Sequence, residues 1–274
     1  MTARLARRML LYATLTAGAL LALLPIFWMI SASLMPTGEA STYPPRVLPS
    51  RVTFEHYGVL FTRLNLGRYL ANSALISFVV TICSLAVNSM AGYAFAKLRF
   101  RGRDRVFQAL SAGLVLPVQV AMLPLFLLLK QLGLINSYWG VIIPGLSSIF
   151  GIFLIRQYAQ SIPDDMLDAA RIDGASELRI YRSVVLPGIL PILATLAIWT
   201  FLATWNDFMW PLIVLSDESH YTLPVALANL VGEHVQDTEL MMAGAVVTVL
   251  PGLLLFLALQ KQYIEGITMG GVKE

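Results

Sequence analysis

Apolar residues gather into six runs, at residues 9–34, 70–96, 106–129, 138–155, 186–215 and 240–259, and the polar residues crowd the gaps between them. A run of about 20 apolar residues crosses the hydrocarbon core of a bilayer as a helix. Five of the six carry no charge, and the fifth carries only Asp207. The pattern therefore predicts an all-α, polytopic membrane protein with six transmembrane helices and both ends on one side. The pairs Pro144-Gly145, Pro187-Gly188 and Pro251-Gly252 would signal turns in a soluble protein. Inside a bilayer they read as kinks, because neighbouring helices can satisfy the freed backbone groups. No internal repeat or low-complexity segment interrupts the chain, so residues 1–274 read as one transmembrane domain.

The basic residues orient it. Of the 19 Lys and Arg, 14 precede the first run, follow the last, or lie between the second and third or the fourth and fifth; Arg46, Arg51, Arg63, Arg68 and Lys130 fall on the other side. Cytoplasmic loops are enriched in these residues, so both termini are expected in the cytoplasm. The opening Arg4–Arg8 followed by an apolar run also resembles a cleaved signal peptide. Such cores run about 7 to 15 residues, whereas this one continues through Pro25 and Trp28. It is read as a retained span.

Composition agrees with the membrane reading and narrows the chemistry. Hydrophobic residues make up 57% and charged residues 13%, with a mean hydropathy of +0.73; soluble domains carry about 25% charged residues. The formal charge of +3 follows from the positive-inside bias, so no nucleic-acid partner is expected. A single Cys83 allows no internal disulfide. His56, His220 and His234 match no zinc spacing and read as solvated loop histidines, so no metal site is expected. No glycine-rich phosphate loop is present to hold ATP, and no nucleophile and base pair at a common depth, so no catalytic residues are assigned. Asp207 is the one candidate for an intramembrane relay. About 20 residues beyond Pro187, at about 1.5 Å each, it falls near the outer interface. Trp199, Trp205 and Trp210 around it partly fit an interfacial aromatic belt.

A chain with neither ATP site nor ion relay must draw energy from elsewhere, which directs attention to the loop at residues 157–185. Pro163, Asp164 and Asp165 suit a helix start. The helix would run through Leu167, Asp168, Ala169, Ala170 and Arg171 to Gly174, where a left-handed residue ends it, and Ser176 would cap a second helix towards Leu186 and Pro187. Ala169 and Ala170 are small enough for another protein to approach closely, and Asp168 and Arg171 stand at i and i+3. An amphipathic loop lying on the headgroups and a protein-docking element both fit this composition.

The order Asp168-Ala169-Ala170, Gly174, Val184, Leu186-Pro187 resembles the signature loop of permease subunits in bacterial ABC importers, whose consensus begins Glu-Ala-Ala. The segments TYPPRVLPSRVTFEHYGVLF, AGYAFAKLRFRGRD, TWNDFMWPL and QKQYIEGITMGGVKE extend the resemblance to the downstream permease of the maltose-type carbohydrate importers. This resemblance implies a subunit of the bacterial plasma membrane that pairs with a second permease. It further implies two copies of a cytoplasmic ATPase that bind ATP and Mg, and an extracytoplasmic sugar-binding protein; this chain itself binds no cofactor and is no enzyme. Asp168, Ala169, Ala170, Arg171 and Gly174 would form a cytoplasmic coupling helix between spans four and five, continued by Leu186 and Pro187. The tail at Gly270, Gly271 and Val272 would reach the ATPases. Trp205, Asn206 and Asp207 would either pack the fifth helix or line the external end of the sugar path. Asp168 stands where the family usually has Glu, one methylene longer. A self-contained secondary carrier or channel is the alternative function; an obligatory ATPase partner separates the two.

Overall fold

In the computed structural model, which describes residues 2–233 and 237–269, every regular element is helical among the described residues. In chain order they are α1 (Thr2–Ser33), α2 (Glu55–Thr62), α3 (Leu66–Lys97), α4 (Arg103–Ala112), α5 (Val118–Gln131), α6 (Tyr138–Gly145) and α7 (Ile149–Ala159). There follow α8 (Asp164–Ile172), α9 (Glu177–Ile180), α10 (Leu186–Gly188), α11 (Leu190–Trp205), α12 (Met209–Val214), α13 (Leu223–Glu233) and α14 (Thr238–Met269). Serine side chains start three of them: Ser137, Ser148 and Ser176 accept from the backbone N–H of Gly140, Gly151 and Arg179. Each satisfies one of the donors that a helix leaves open at its first turn.

Among the described residues, four helices are long and apolar enough to cross a membrane unaided: Arg4–Ser33 within α1, α3, Tyr138–Ala159 and Thr238–Ala258 within α14. Two of the apolar runs differ from straight spans. The run at 106–129 bends by 107° between Val115 and Val118, and the fifth bends by 79° between Gly188 and Leu190. Pro117 precedes the first new helix and Pro191 sits in the first turn of the second. With no N–H to donate and φ held near −65°, proline favours a helix start over continuation of the previous ladder. If each bent pair is one span, the count reaches six.

The chain divides into two compact units. In the first, Met1–Gly67 with Ala226–Pro251, Ala32, Met35 and Ala40 form a small core with Trp28 and Met242. The loop after α1 is fastened by Ser31 Oγ donating to the Val47 carbonyl at 2.6 Å and by the Ala40 N–H donating to Glu239 Oε1 at 2.6 Å. His56 is buried here, its Nε2 2.9 Å from the Met35 carbonyl and its Nδ1 3.9 Å from Asp237 Oδ1. The reading of His56 as a solvated loop residue is therefore corrected: α2 turns it inward. His220 packs edge-on against Tyr138, and His234 lies outside the described residues.

The second unit, Arg68–Val225 with Gly252–Glu274, holds two apolar clusters. One gathers Tyr93, Ile155, Leu167, Ile180, Ile189 and Leu196, so that α3, α7, α8, α9 and α11 meet around it. The other is built on Ile76, Leu129, Val141, Trp210 and Val214. The α1 segment contrasts with both, for none of its most apolar window is buried in the protein. A helix that is hydrophobic all round needs an apolar surrounding.

Candidate functional site: the helix–turn–helix between α7 and α11

The loop at 157–185 folds into a short helix, a glycine turn and a second helix. Asp164 and Asp165 occupy the first turn of α8, where the helix dipole favours negative charge, and Arg171 the last. Gly174 has φ +77°. The Gly174 N–H donates to the Arg171 carbonyl and the Ala175 N–H to the Ala170 carbonyl, both at 3.0 Å. This paired closure is the Schellman cap, which needs a left-handed residue at the turn. Ser176 then caps α9.

Beyond α9 the chain departs from a regular helix. Residues Tyr181–Val185 form a π-helical turn in which the Leu186 N–H donates to the Tyr181 carbonyl, and α10 carries Leu186 and Pro187 to the 79° break. Leu186 packs against the apolar cluster, while Pro187 is exposed.

The two faces of α8 differ. Leu167 is buried and Ala170 packs inward, whereas Met166, Ala169 and Ile172 point outward, with Met166 53% and Ile172 86% exposed. At i, i+3 and i+6 these three share one face. The charged groups hold the helix in place. Arg171 Nη1 donates to Asp168 Oδ1 at 2.7 Å and Arg171 Nε to Glu177 Oε1 at 2.9 Å, so one guanidinium ties α8 to α9 across the turn. Glu177 Oε2 accepts from the Tyr93 hydroxyl at 2.6 Å. Lys97 Nζ donates to Asp164 Oδ1 at 2.7 Å and to the Ile162 carbonyl at 2.6 Å. A cleft of about 870 Å³ opens between these groups and the basic segment Arg99–Arg103.

The hydrogen bond from Lys97, with its positive charge, holds the Asp164 carboxyl below its ordinary value of 3.8. The Arg171 guanidinium, followed by the Tyr93 hydroxyl, does the same for Glu177. A carboxyl depressed in the folded state stabilises it fully above the unfolded pKa, and that contribution is lost as pH falls through the folded value. Compared with Asp164→Asn, the native protein is thus expected to melt higher at neutral pH. Its advantage should shrink as pH drops below 3.8; thermal unfolding in detergent at a series of pH values checks this.

The fifth-run residues lie apart from this assembly in the chain. Trp205 is buried and stacked on Phe201, and Trp210 is buried with its Nε1 donating to the Gly140 carbonyl at 3.1 Å. Only Trp199 of the three tryptophans stands exposed, which corrects the aromatic-belt reading of this group. Asn206 is exposed and donates to the Leu202 carbonyl. Asp207 follows the end of α11, so its depth does not follow from counting along one straight helix. With Gln119, Thr204 and Trp210 it lines a cavity of about 430 Å³. Gly270, Gly271 and Val272 lie outside the described residues.

Sequence reasoning overlooked Tyr93, Lys97 and Glu177. Their trace was present in Ser89, Tyr93 and Lys97, which recur at every fourth position near the end of an apolar run and so share one face of α3.

The arrangement is a rigidly braced helix that presents an unpartnered apolar face, and similar proteins place it in a family. The arabinooligosaccharides transport system permease protein AraQ of Halalkalibacterium halodurans is 38% identical over 258 residues, covering 93% of this chain and 92% of that protein. The lactose transport system permease protein LacG of Rhizobium radiobacter is 30% identical over 267 residues, covering 96% and 95%. Among solved structures, a chain of a bacterial ABC transporter involved in import of the acidic polysaccharide alginate superposes with a TM-score of 0.83 at 27% identity. That match covers 93% of this chain and 96% of the other. The model of the binding-protein-dependent transport system inner membrane component family matches residues 88–267. By these matches the chain is a member of that family of inner-membrane transport permeases.

Proposed function

We propose that this chain is one of two permease subunits of an ATP-driven importer for carbohydrates, and that α8 is the element gripped by the ATPase. Six spans form half of the translocation pathway, with both termini in the cytoplasm. The second permease forms the other half, two ATPase subunits bind ATP and Mg from the cytoplasm, and an extracytoplasmic binding protein delivers the sugar. The observation that carries this reading is the outward face of Met166, Ala169 and Ile172 on a helix braced by ion pairs on its other side. Burying a side chain the size of Met or Ile in a partner's groove contributes about 1.5–3 kcal/mol. A loop bound to headgroups would have no use for the polar bracing between α8, α9 and α3. The names of the relatives support oligosaccharides, disaccharides or glycerol phosphate as cargo.

A tagged chain, co-expressed with candidate partner subunits and purified in detergent, is expected to retain an ATPase. The complex should hydrolyse ATP faster when its binding protein carries cargo. Arabino-oligosaccharides, lactose, diacetylchitobiose and sn-glycerol 3-phosphate form the panel to test. Uptake by the purified chain alone, driven by an ion gradient, would sink the proposal in favour of a self-contained carrier.

A further inference from the structure

The coupling element has two routes into the membrane domain, and they differ in stiffness. The covalent route from α8 to α11 passes the Gly174 turn, the π-helical turn at Tyr181–Val185 and the 79° break after Gly188. Each of these interrupts the regular α-helical ladder that would make a rigid rod. The second route runs through side chains. Ser89 Oγ lies 2.7 Å from the Tyr181 hydroxyl, the Tyr93 hydroxyl donates to Glu177 Oε2 at 2.6 Å, and Lys97 Nζ donates to Asp164 Oδ1 at 2.7 Å. Ser89, Tyr93 and Lys97 follow at i, i+4 and i+8 on one face of α3, so the three rungs span about 12 Å of its cytoplasmic end. They meet, in turn, the π-helical turn, the start of α9 and the start of α8.

All three are withdrawn from solvent: Ser89 is 1% and Tyr93 4% exposed, and the Lys97 side chain 8%. Lys97 also holds the Ile162 carbonyl at 2.6 Å and the Gln160 carbonyl at 3.3 Å just past the end of α7, so it has no slack. Charge-assisted hydrogen bonds are shorter and stronger than neutral ones, and breaking one leaves a buried group on α3 unpaired; the carboxylates they reach stand nearer the solvent, Asp164 being 74% and Glu177 47% exposed. Ile155, Leu167 and Ile180 share the buried apolar cluster with Tyr93.

We infer that Ser89, Tyr93 and Lys97 form a transmission ladder that makes the cytoplasmic end of α3 move with α8, so that the pull of the ATPase reaches the second span before the fifth. This rests on the docking reading of α8 above. The three are positioning residues: they touch neither nucleotide nor cargo.

The test uses the complete complex in lipid vesicles, with the panel member that most stimulates the native complex as cargo, and reads cargo imported per ATP hydrolysed. The double variant Tyr93→Phe/Lys97→Met keeps the bulk of both side chains and removes two rungs. It is expected to assemble and hydrolyse ATP, while import per ATP falls about tenfold, a size typical of coupling between sites. The swapped pair Lys97→Glu/Asp164→Lys is expected to recover part of the import that Lys97→Glu alone loses. An unchanged ratio in the double variant overturns the ladder while leaving ATPase docking intact. So does a proportional fall of hydrolysis and import with no recovery in the swapped pair, because a purely structural role gives that pattern. A native chain that imports without any ATPase overturns the docking reading, and the ladder's role with it.

Discussion

Gly174→Pro is expected to abolish cargo-stimulated ATP hydrolysis in the assembled importer, whereas Gly174→Asn keeps most of it. Apart from its two chain neighbours, no heavy atom lies within 4 Å of where a Cβ would stand at Gly174, so crowding is not at issue. Its φ of +77° is. Proline holds φ near −65° and has no N–H, so it can neither adopt the turn nor donate to the Arg171 carbonyl. The cap would open, and the bridge from Arg171 to Glu177 would lose the geometry that sets the angle between α8 and α9. Asparagine tolerates the left-handed region better than most residues, and Asn65 and Asn136 already occupy it here with φ of 50° and 58°. An ordinary L-residue pays about 1–2 kcal/mol there. Nucleotide hydrolysis by the purified complex with and without loaded binding protein, at matched assembly, distinguishes the two variants. Equal stimulation in both would mean that the turn does not position the coupling helix.

Gly92→Leu should lower the stability of the protein by forcing α3 and α7 apart. A Cβ at Gly92 would stand 2.6 Å from Ile155 Cγ2 and 3.1 Å from the Arg156 backbone nitrogen. Neither neighbour can withdraw freely. Ile155 is fully buried, and Arg156 is held by its Nε donating to the Phe95 carbonyl at 3.2 Å and by its guanidinium lying 3.9 Å over the Phe107 ring. Relief therefore requires α3 and α7 to separate. Overpacking of this kind costs about 1–3 kcal/mol, and Gly92→Ala should show the same sign with a smaller size. Melting of the detergent-purified protein checks both; a Gly92→Leu protein that melts with the native one would show that the two helices are not locked together here.

The helix–turn–helix between α7 and α11 was legible because its signals are local. Asp164 and Asp165 at a helix start, Gly174 at a turn and Ser176 at the next start act on backbone groups within four residues, and each stands where the pattern put it. The helix breaks were harder to read. Proline in an apolar run permits either a kink or a new helix, and the choice depends on packing partners distant in sequence; Pro117 and Pro191 begin helices, while Pro25 and Pro251 sit inside unbroken ones. His56 was misjudged for the same reason, since its acceptor, Met35, lies 21 residues away. Asp168 and Arg171 could be paired from their spacing, but Glu177 completing the bridge and Tyr93 reaching it from α3 needed the fold, 84 residues separating the latter two.

The π-helical turn at Tyr181–Val185 has a consequence for how this segment can change over time. Its Leu186-to-Tyr181 hydrogen bond encloses one residue more than an α-helical turn does. Dropping one of its five residues would leave an ordinary α-helical turn, and because the extra residue is taken up as a local bulge, the helix before it would keep its facing relative to α11. The outward face of α8 would then stay aimed as it is, whereas a residue lost from a regular helical stretch turns what precedes it by about 100°. The stretch between Gly174 and Pro187 thus holds one spare residue, a place where its length can change without turning α8.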